Sequence, residues 1–93
     1  MTVVASHTIP VIPRGVRLHA DKVRSRWVLL APERTIDLDP IGLAILQEVD
    51  GLRTFSQIVA GLAVKYEAPV DQISGDVGEF LAGLADRRIV ELT

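Results

Sequence analysis

The sequence predicts an α+β fold in which a three-stranded antiparallel meander precedes a three-helix bundle. Apolar and polar residues alternate from Val16 to Asp21, as in a half-buried strand, whereas apolar residues recur at helical spacing after Pro40. The change falls at Asp39-Pro40. Asp39 can accept hydrogen bonds from the free N–H groups of a first helical turn, and proline is tolerated best at that position. Strands are therefore expected before this point and helices after it.

The meander is predicted from three short segments. In the first, Val16, Leu18 and Ala20 lie on one face. The second runs over residues 26–30 and stops at Ala31-Pro32, and the third is Thr35 to Leu38. Residues 1–13 show no sustained period, because Pro10 and Pro13 bracket only a short apolar pair. We therefore predict a flexible N-terminal arm over residues 1–13 and a single domain over residues 14–93.

The second helix has the clearest signal in the chain. Thr54 and Gln57 match a reciprocal capping pattern, which predicts a helix from Phe55 to about Tyr66. The first helix is expected to end at Asp50-Gly51, and its predicted apolar face is Ile41, Ala44, Ile45 and Val49. Asp71 is the expected cap of the third helix, whose apolar stripe is Ile73, Val77, Phe80, Leu81 and Leu84. Residues 89–92 are apolar and β-branched, which predicts a short terminal strand.

Composition excludes several classes of protein. The 93 residues are 48% apolar but only 4% aromatic, so the core must be aliphatic, and the absence of cysteine excludes disulfides and thiolate chemistry. No apolar run is long enough to span a bilayer and no secretion signal is visible, which predicts a cytoplasmic protein without membrane contact. His7 and His19 are the only histidines, and both are expected at the surface. Neither a catalytic residue nor a metal or cofactor is therefore expected.

Three strands followed by three helices form the outline of a winged helix-turn-helix domain, so a DNA-binding transcriptional regulator is the alternative function. The charge pattern argues against it. The third helix carries Asp71, Asp76, Glu79 and Asp86 and has no basic residue before Arg87. Basic residues lie in the meander instead, either as an ordinary solvated face or as a surface that docks an acidic partner. The net charge of −2 also disfavours nucleic acid as a partner.

An ordered set of residues between about Pro13 and Leu92 carries a further signal. These residues are Arg14-Gly15-Val16-Arg17-Leu18, Asp21, Val28-Leu29-Leu30-Ala31-Pro32-Glu33-Arg34, Asp50-Gly51, Ile58, Leu62, Tyr66, Asp76-Val77 and Leu81. In order and spacing, the set resembles the family of the pyrroloquinoline quinone (PQQ) biosynthesis protein PqqD.

The resemblance implies a peptide chaperone that is not an enzyme. Members of this family bind the ribosomal precursor peptide PqqA and present it to the radical S-adenosylmethionine (SAM) enzyme PqqE, and similar domains serve as precursor-peptide recognition elements. In such domains the peptide adds a strand to the third strand of the meander and packs on the third helix. The peptide-binding residues implied here are Thr35, Ile36, Asp37, Leu38, Asp76, Val77, Phe80, Leu81 and Leu84.

Two points stay open at this level. The wide stripe of the third helix is either core throughout, or core on one side and a peptide groove on the other. The chain is expected to be a monomer, or a homodimer that exchanges the arm around Val11-Ile12.

Overall fold

The computed structural model describes residues 3–93 and has two small sheets and three helices. The predicted α+β class, with three antiparallel strands and three helices in that order, is confirmed; the likeness to a winged helix-turn-helix domain stays a prediction. The elements are β1 (Pro10–Val11), β2 (Arg17–Asp21), β3 (Arg26–Ala31), β4 (Arg34–Leu38), α1 (Pro40–Gln47), α2 (Phe55–Tyr66), α3 (Val70–Asp86) and β5 (Glu91–Leu92).

The larger sheet is the predicted antiparallel meander, with the strand order β2-β3-β4. Leu18, Leu29 and Ile36 stand in register across the three strands, and Leu29 is fully buried at the centre. This row places the apolar face of the sheet against the helices, since Leu18 and Ile36 pack on the same core cluster. One face of the sheet is therefore fixed to the helices, and β2 and β4 form its two edges.

The turn between β3 and β4 contains only Pro32 and Glu33, because Ala31 and Arg34 already pair. Glu33 adopts a left-handed backbone with φ 62°. Proline at the second position and a positive φ at the third are the features of a type II turn. The sequence pattern predicted that the third strand begins one residue later, at Thr35, because the strand signal of Arg34 is weak.

The helix starts follow the predicted capping chemistry in α1 and α2. The Asp39 carboxylate accepts from the Gly42 N–H, and Thr54 and Gln57 form the reciprocal pair of the capping box. The prediction for α3 is wrong: the helix starts at Val70, and Pro69 occupies the cap position without a side-chain hydrogen bond. Asp71 lies inside the first turn instead, where a negative charge is favourable next to the positive end of the helix dipole.

Helix α1 ends at Gln47, two to three residues before the predicted stop. Asp50 is used differently: its carboxylate accepts from the N–H groups of Leu52 and Arg53. These bonds, first that of Arg53 and then that of Leu52, lower the pKa of Asp50 below its ordinary value of 3.8. Asp50 therefore holds the connection between α1 and α2 in place.

The core is aliphatic, as predicted, and lies between the meander and the helices. Ile45 and Leu46 come from α1, and β3 and the segment after α3 also contribute. The buried cluster is Leu29, Ile45, Leu46, Phe55, Ile58, Val59, Leu62, Val77, Leu81, Leu84, Ile89 and Val90.

The N-terminal segment forms a strand that the sequence analysis did not predict. β1 pairs with β5 in an antiparallel two-residue ladder, so the predicted terminal strand at residues 89–92 has its partner at the other end of the chain. Further backbone bonds join Thr8 to Phe55 and Ser6 to Ser56. Within residues 3–13, the predicted arm thus lies against the start of α2 and pairs with β5. Its flexibility, and its exchange between two copies, stay predictions; residues 1 and 2 lie outside the described part.

Glu67 offers a test of the backbone at the end of α2. It is the C-cap and has a left-handed conformation with φ 50° and ψ 44°. A left-handed residue other than glycine costs about 1–2 kcal/mol. We therefore expect Glu67→Gly to be more stable than Glu67→Ala by about 1 kcal/mol, which raises Tm by about 4–8 °C in a domain of this size. Both variants remove the same charge, so the difference between their Tm values measures the cost of the left-handed backbone at this position. Equal Tm values would contradict the prediction.

Candidate functional site

The predicted site begins at β4, which is an edge strand. β4 pairs with β3 on one side, and within residues 3–93 no strand pairs with its other side. All four residues predicted for strand addition, Thr35 to Leu38, belong to β4. Ile36 and Leu38 turn toward the core, whereas Thr35 and Asp37 are exposed. An unpaired strand edge presents a row of main-chain donors and acceptors to any incoming chain.

The two-residue turn shows which main-chain groups of β4 face outward. A hairpin closed by two residues joins its closing pair by hydrogen bonds, so the N–H and C=O groups of Arg34 point toward β3. Hydrogen-bonded and non-bonded pairs alternate along an antiparallel ladder. Ile36 and Leu38 therefore also point toward β3, and Thr35 and Asp37 direct their N–H and C=O groups away from the sheet. These two residues form the accessible part of the edge.

The far end of β4 meets α3 through the start of α1. A Cβ atom built on Gly42 would lie 3.1 Å from Phe80 Cε1 and 3.2 Å from Asp39 Oδ1. The Phe80 ring therefore lies directly against the backbone of the first turn of α1, and glycine permits this approach. Because Asp39 follows Leu38, the partly buried ring of Phe80 marks the place where β4, α1 and α3 converge.

Three residues of the predicted site are core residues. Val77 is 2% exposed, Leu81 0% and Leu84 4%, and all three belong to the buried cluster. The expectation that exposed parts of these side chains pack on a peptide is therefore corrected. A helix that faces a sheet and two helices buries the centre of its apolar stripe, which leaves only the flanks at the surface. On α3 those flanks are Asp76, which is exposed, and Phe80 and Ile73, which are partly buried.

An apolar cleft of about 280 Å³ lies between the three helices, next to these flanking residues. Pro40, the residue that follows β4 and Asp39, forms part of its wall, and Asp76 lies on its lining from α3. Val77 also contributes, although almost none of its side chain is accessible. The full lining is Pro40, Ile41, Ala44, Ile45, Leu62, Tyr66, Ala68, Gln72, Ile73, Asp76 and Val77.

Two large residues of this cleft are Ile41, predicted on the apolar face of the first helix, and Tyr66, predicted at the end of the second helix, where its ring was expected in the core. The structure leaves 66% of Ile41 and 53% of Tyr66 exposed. Monomeric domains rarely expose several large apolar side chains together unless something binds there. A signal was present in the sequence: α1 reads Pro-Ile-Gly-Leu-Ala-Ile-Leu-Gln and is apolar on nearly every side, so one helix face could not have buried it all.

Glycines in α3 have different roles. A Cβ atom on Gly78 would lie 3.4 Å from the Phe55 ring, so this glycine allows close packing between α2 and α3. Gly75 and Gly83 have nothing within 4 Å of such an atom. Close packing within the domain therefore accounts for Gly78 but not for Gly75 or Gly83.

Among residues 3–93, one ion pair lies at the site. Arg26 Nη1 lies 3.1 Å from Asp37 Oδ2 and joins β3 to β4 on the outer face of the sheet. An exposed pair of this kind contributes about 0–1 kcal/mol. The pair holds the Asp37 side chain beside β3 on this face of the sheet.

No catalytic arrangement is seen in the described part of the chain. His7 and His19 are both exposed and lie on different segments. Residues 3–93 contain no cluster of three or more His, Cys, Asp or Glu side chains that could hold a metal ion. None of the helices in this range has the length and apolar content needed to cross a bilayer.

The fold and the site together define a small α+β domain with an accessible strand edge and an adjoining apolar cleft. Chemically, this arrangement suits an extended peptide, which can pair with the edge through its main chain and place side chains in the cleft. The model of the family "Coenzyme PQQ synthesis protein D (PqqD)" matches residues 26–90. The chain belongs to the PqqD family.

Curated relatives agree with this membership. The chain is 44% identical over 90 residues to the PqqA binding protein of Rhizobium meliloti, a match that covers 97% of this chain and 92% of the relative. It is 48% identical over 90 residues to the bifunctional coenzyme PQQ synthesis protein C/D of Methylorubrum extorquens, which covers 97% of this chain but 24% of that protein.

Two solved structures are similar. One is the solution NMR structure of the PqqD truncation of Methylobacterium extorquens PqqCD, described as a functional and stand-alone recognition element for ribosomally synthesized and post-translationally modified peptides (RiPPs). It has a TM-score of 0.83 and 48% identity and covers 97% of this chain and 96% of that one. The crystal structure of PqqD from Xanthomonas campestris has a TM-score of 0.59 and 40% identity, with 85% and 88% covered.

Proposed function

We propose that this protein is a non-enzymatic peptide chaperone of PQQ synthesis, which binds the precursor peptide PqqA by strand addition and presents it to the radical SAM enzyme PqqE. The observation that carries the proposal is the open edge of β4 beside α3. PqqA is supported as the ligand by the names of several relatives, which are PqqA binding proteins. The description of the M. extorquens domain as a RiPP recognition element supports the class of activity.

Binding begins with main-chain pairing. The outward N–H and C=O groups of Thr35 and Asp37 pair with an extended segment of PqqA, and each hydrogen bond contributes about 0.5–1.5 kcal/mol net. These bonds do not depend on the side chains of the peptide, so they fix its path more than its sequence. β4 has five residues, which is about 17 Å of strand. A paired segment of five or six residues therefore fills the edge.

Specificity comes from apolar contacts next to the edge. Phe80 packs at the end of β4, and the cleft beyond it has room for an apolar side chain of the peptide. Ile41 and Tyr66 form its exposed rim, so their apolar surface is covered when the peptide binds. This arrangement replaces the predicted contacts with the buried Val77, Leu81 and Leu84, while Phe80 and Asp76 keep their proposed roles.

Calorimetric titration with synthetic PqqA tests the proposal. An interface of this size is expected to give sub-micromolar to micromolar affinity, about −8 kcal/mol. The matched control is the same peptide with N-methylated amides in the paired segment, which keeps every side chain but removes the main-chain donors. Equal affinity for the two peptides would exclude strand addition, and no binding of unmodified PqqA at high micromolar concentration would exclude the proposed ligand.

Phe80 tests the contribution of the apolar contacts. Phe80→Ala removes the ring that borders the edge, and we expect the affinity for PqqA to fall by about 1–3 kcal/mol. Because the ring is partly buried, unfolding curves must show that the variant is folded at the temperature of the titration. Phe80→Leu serves as the control, since it keeps an apolar side chain at the contact with Gly42. An affinity of Phe80→Ala within twofold of the parent would place the ring outside the binding site.

The charges on α3 disfavour the alternative function, DNA binding. The acidic side chains Asp71, Asp76 and Glu79 of α3 are exposed, so the helix that would enter a groove presents negative charge to the phosphates. The expectation that no metal or organic cofactor is needed stays a prediction.

A further inference from the structure

The tip of the hairpin between β2 and β3 is an exposed basic surface that the proposed peptide site does not use. Residues 21–26 form the tip and its closing pair, and they contain three basic residues and one acidic residue. Arg17 and Arg34 lie at the opposite end of the sheet. Within residues 3–93, Arg26 is the one of the three basic residues at the tip that forms an ion pair. Lys22 and Arg24 remain exposed at the tip, between β2 and β3.

An apolar side chain stands between these two cations. Val23 is 95% exposed, and Trp27 is partly exposed at the base of the tip. Trp27 and Lys22 also line a shallow depression of about 350 Å³ together with Ala20, Asp21, Ser25 and Arg26. Arginine and tryptophan are among the side chains that contribute most to the binding energy of protein interfaces.

The tip is held in a defined shape. Asp21 Oδ1 accepts from the N–H groups of both Val23 and Arg24, at 3.1 and 3.2 Å. Ser25 completes the turn with a left-handed φ of 52°. The carboxylate of Asp21 is thus used by the turn, and the side chains of Lys22, Val23 and Arg24 are presented together with little freedom left to the backbone. A surface held in this way loses less entropy when a partner binds.

The position of the tip leaves the edge of β4 free. β4 pairs with β3 over residues 27–31. Trp27 lies at the end of that ladder, opposite Leu38, and residues 22–25 lie beyond it. A partner at the tip therefore need not cover Thr35 or Asp37.

We infer that the hairpin tip, formed by Lys22, Val23, Arg24 and Trp27, docks an acidic, partly apolar surface of the enzyme that receives the peptide. The inference rests on the proposed function, because it assumes delivery to an enzyme. The charge of the tip selects an acidic surface, and Val23 and Trp27 supply apolar contact area. One domain thus holds the peptide at β4 and the enzyme at the hairpin, at the same time.

Purified PqqE without peptide is the probe, with Lys22→Glu/Arg24→Glu as the variant. Arg87→Glu/Arg88→Glu is the control, because it makes the same change in charge at the end of α3. We expect the hairpin variant to bind PqqE at least about tenfold more weakly than the parent, the control to stay within about threefold, and the parent to weaken as salt rises from about 50 to about 300 mM. Affinity for PqqA is expected to be the same in all three proteins.

Each other result overturns the inference. Equal binding of PqqE by the parent and the hairpin variant would mean that the enzyme docks on another surface. No binding of PqqE by the parent would mean that the enzyme does not dock on this domain. Binding of duplex DNA that the hairpin variant alone loses, with PqqE binding unchanged, assigns the tip to nucleic acid. Failure of the proposed function is distinguishable, because it appears in the PqqA titration of the parent protein.

Discussion

Thr35→Pro is expected to raise the Kd for PqqA by about 30-fold, or about 2 kcal/mol, with little loss of stability. The N–H of Thr35 points away from β3, so proline removes no bond of the sheet, and exposed edge positions are where strands tolerate it. For the incoming peptide, proline removes a donor worth about 1 kcal/mol, and its ring blocks close approach of the second strand. Calorimetric titration and urea unfolding measure the two effects separately.

The other edge of the sheet supplies the control. The same alternation directs the main-chain groups of Ala20 in β2 away from β3, so Ala20→Pro makes an equivalent change at the edge where no peptide is proposed. Its affinity for PqqA should equal that of the parent, and Thr35→Val should also bind normally because its main chain is intact. Normal binding by Thr35→Pro, or equal losses in both proline variants, would contradict pairing at β4.

Leu81→Ala is expected to lower the free energy of unfolding by about 2–5 kcal/mol. Leu81 is fully buried in the central cluster, and its removal leaves a cavity among side chains from the sheet and the helices. A domain of 93 residues has about 5–14 kcal/mol of stability in all, so this loss is a large fraction of the total. Thermal and urea unfolding measure the loss.

Leu52→Ala is the matched control for this prediction. It removes the same atoms from a largely exposed leucine, and we expect a change within about 0.5 kcal/mol. If both leucine variants lost the same stability, Leu81 would not be a core residue. If Leu81→Ala kept its stability but lost PqqA binding, the original assignment of Leu81 to the peptide site would be correct.

The local chemistry of the chain was predictable in detail. The capping pair Thr54 and Gln57 marked the start of the expected α2, the apolar repeat extended it to about Tyr66, and the observed helix is Phe55–Tyr66. The alternation of apolar and polar residues predicted the first strand of the meander. Ala31-Pro32 and Asp39-Pro40 predicted the limits of β4 to within one residue. Such features depend on neighbours within a few residues, so a pattern in one sequence is sufficient to find them.

Features that depend on distant contacts were not predictable in this way. β1 has two residues and pairs with β5 across almost the whole chain, so it shows no period of its own in the sequence. The terminal strand was predicted from its apolar, β-branched residues, but its partner was not. The apolar stripe of α3 identified the helix but not which members face the sheet, so Leu81 and Phe80 received the same role although only Leu81 is fully buried. The cleft is formed by three helices together, so the sequence pattern showed its rim residues Ile41 and Tyr66 only as members of the apolar faces of single helices.

Amide NMR shift mapping during titration with PqqA tests the central claim most directly. The fold places the free main-chain edge at Thr35 and Asp37, and the apolar contacts at Phe80 and around the cleft. We expect the largest shift changes in residues 34–38, 40–45 and 72–80, with the hairpin tip unchanged. Changes confined to residues 3–13 or to the tip at residues 22–25, with the amides of β4 unaffected, would contradict peptide binding at this edge.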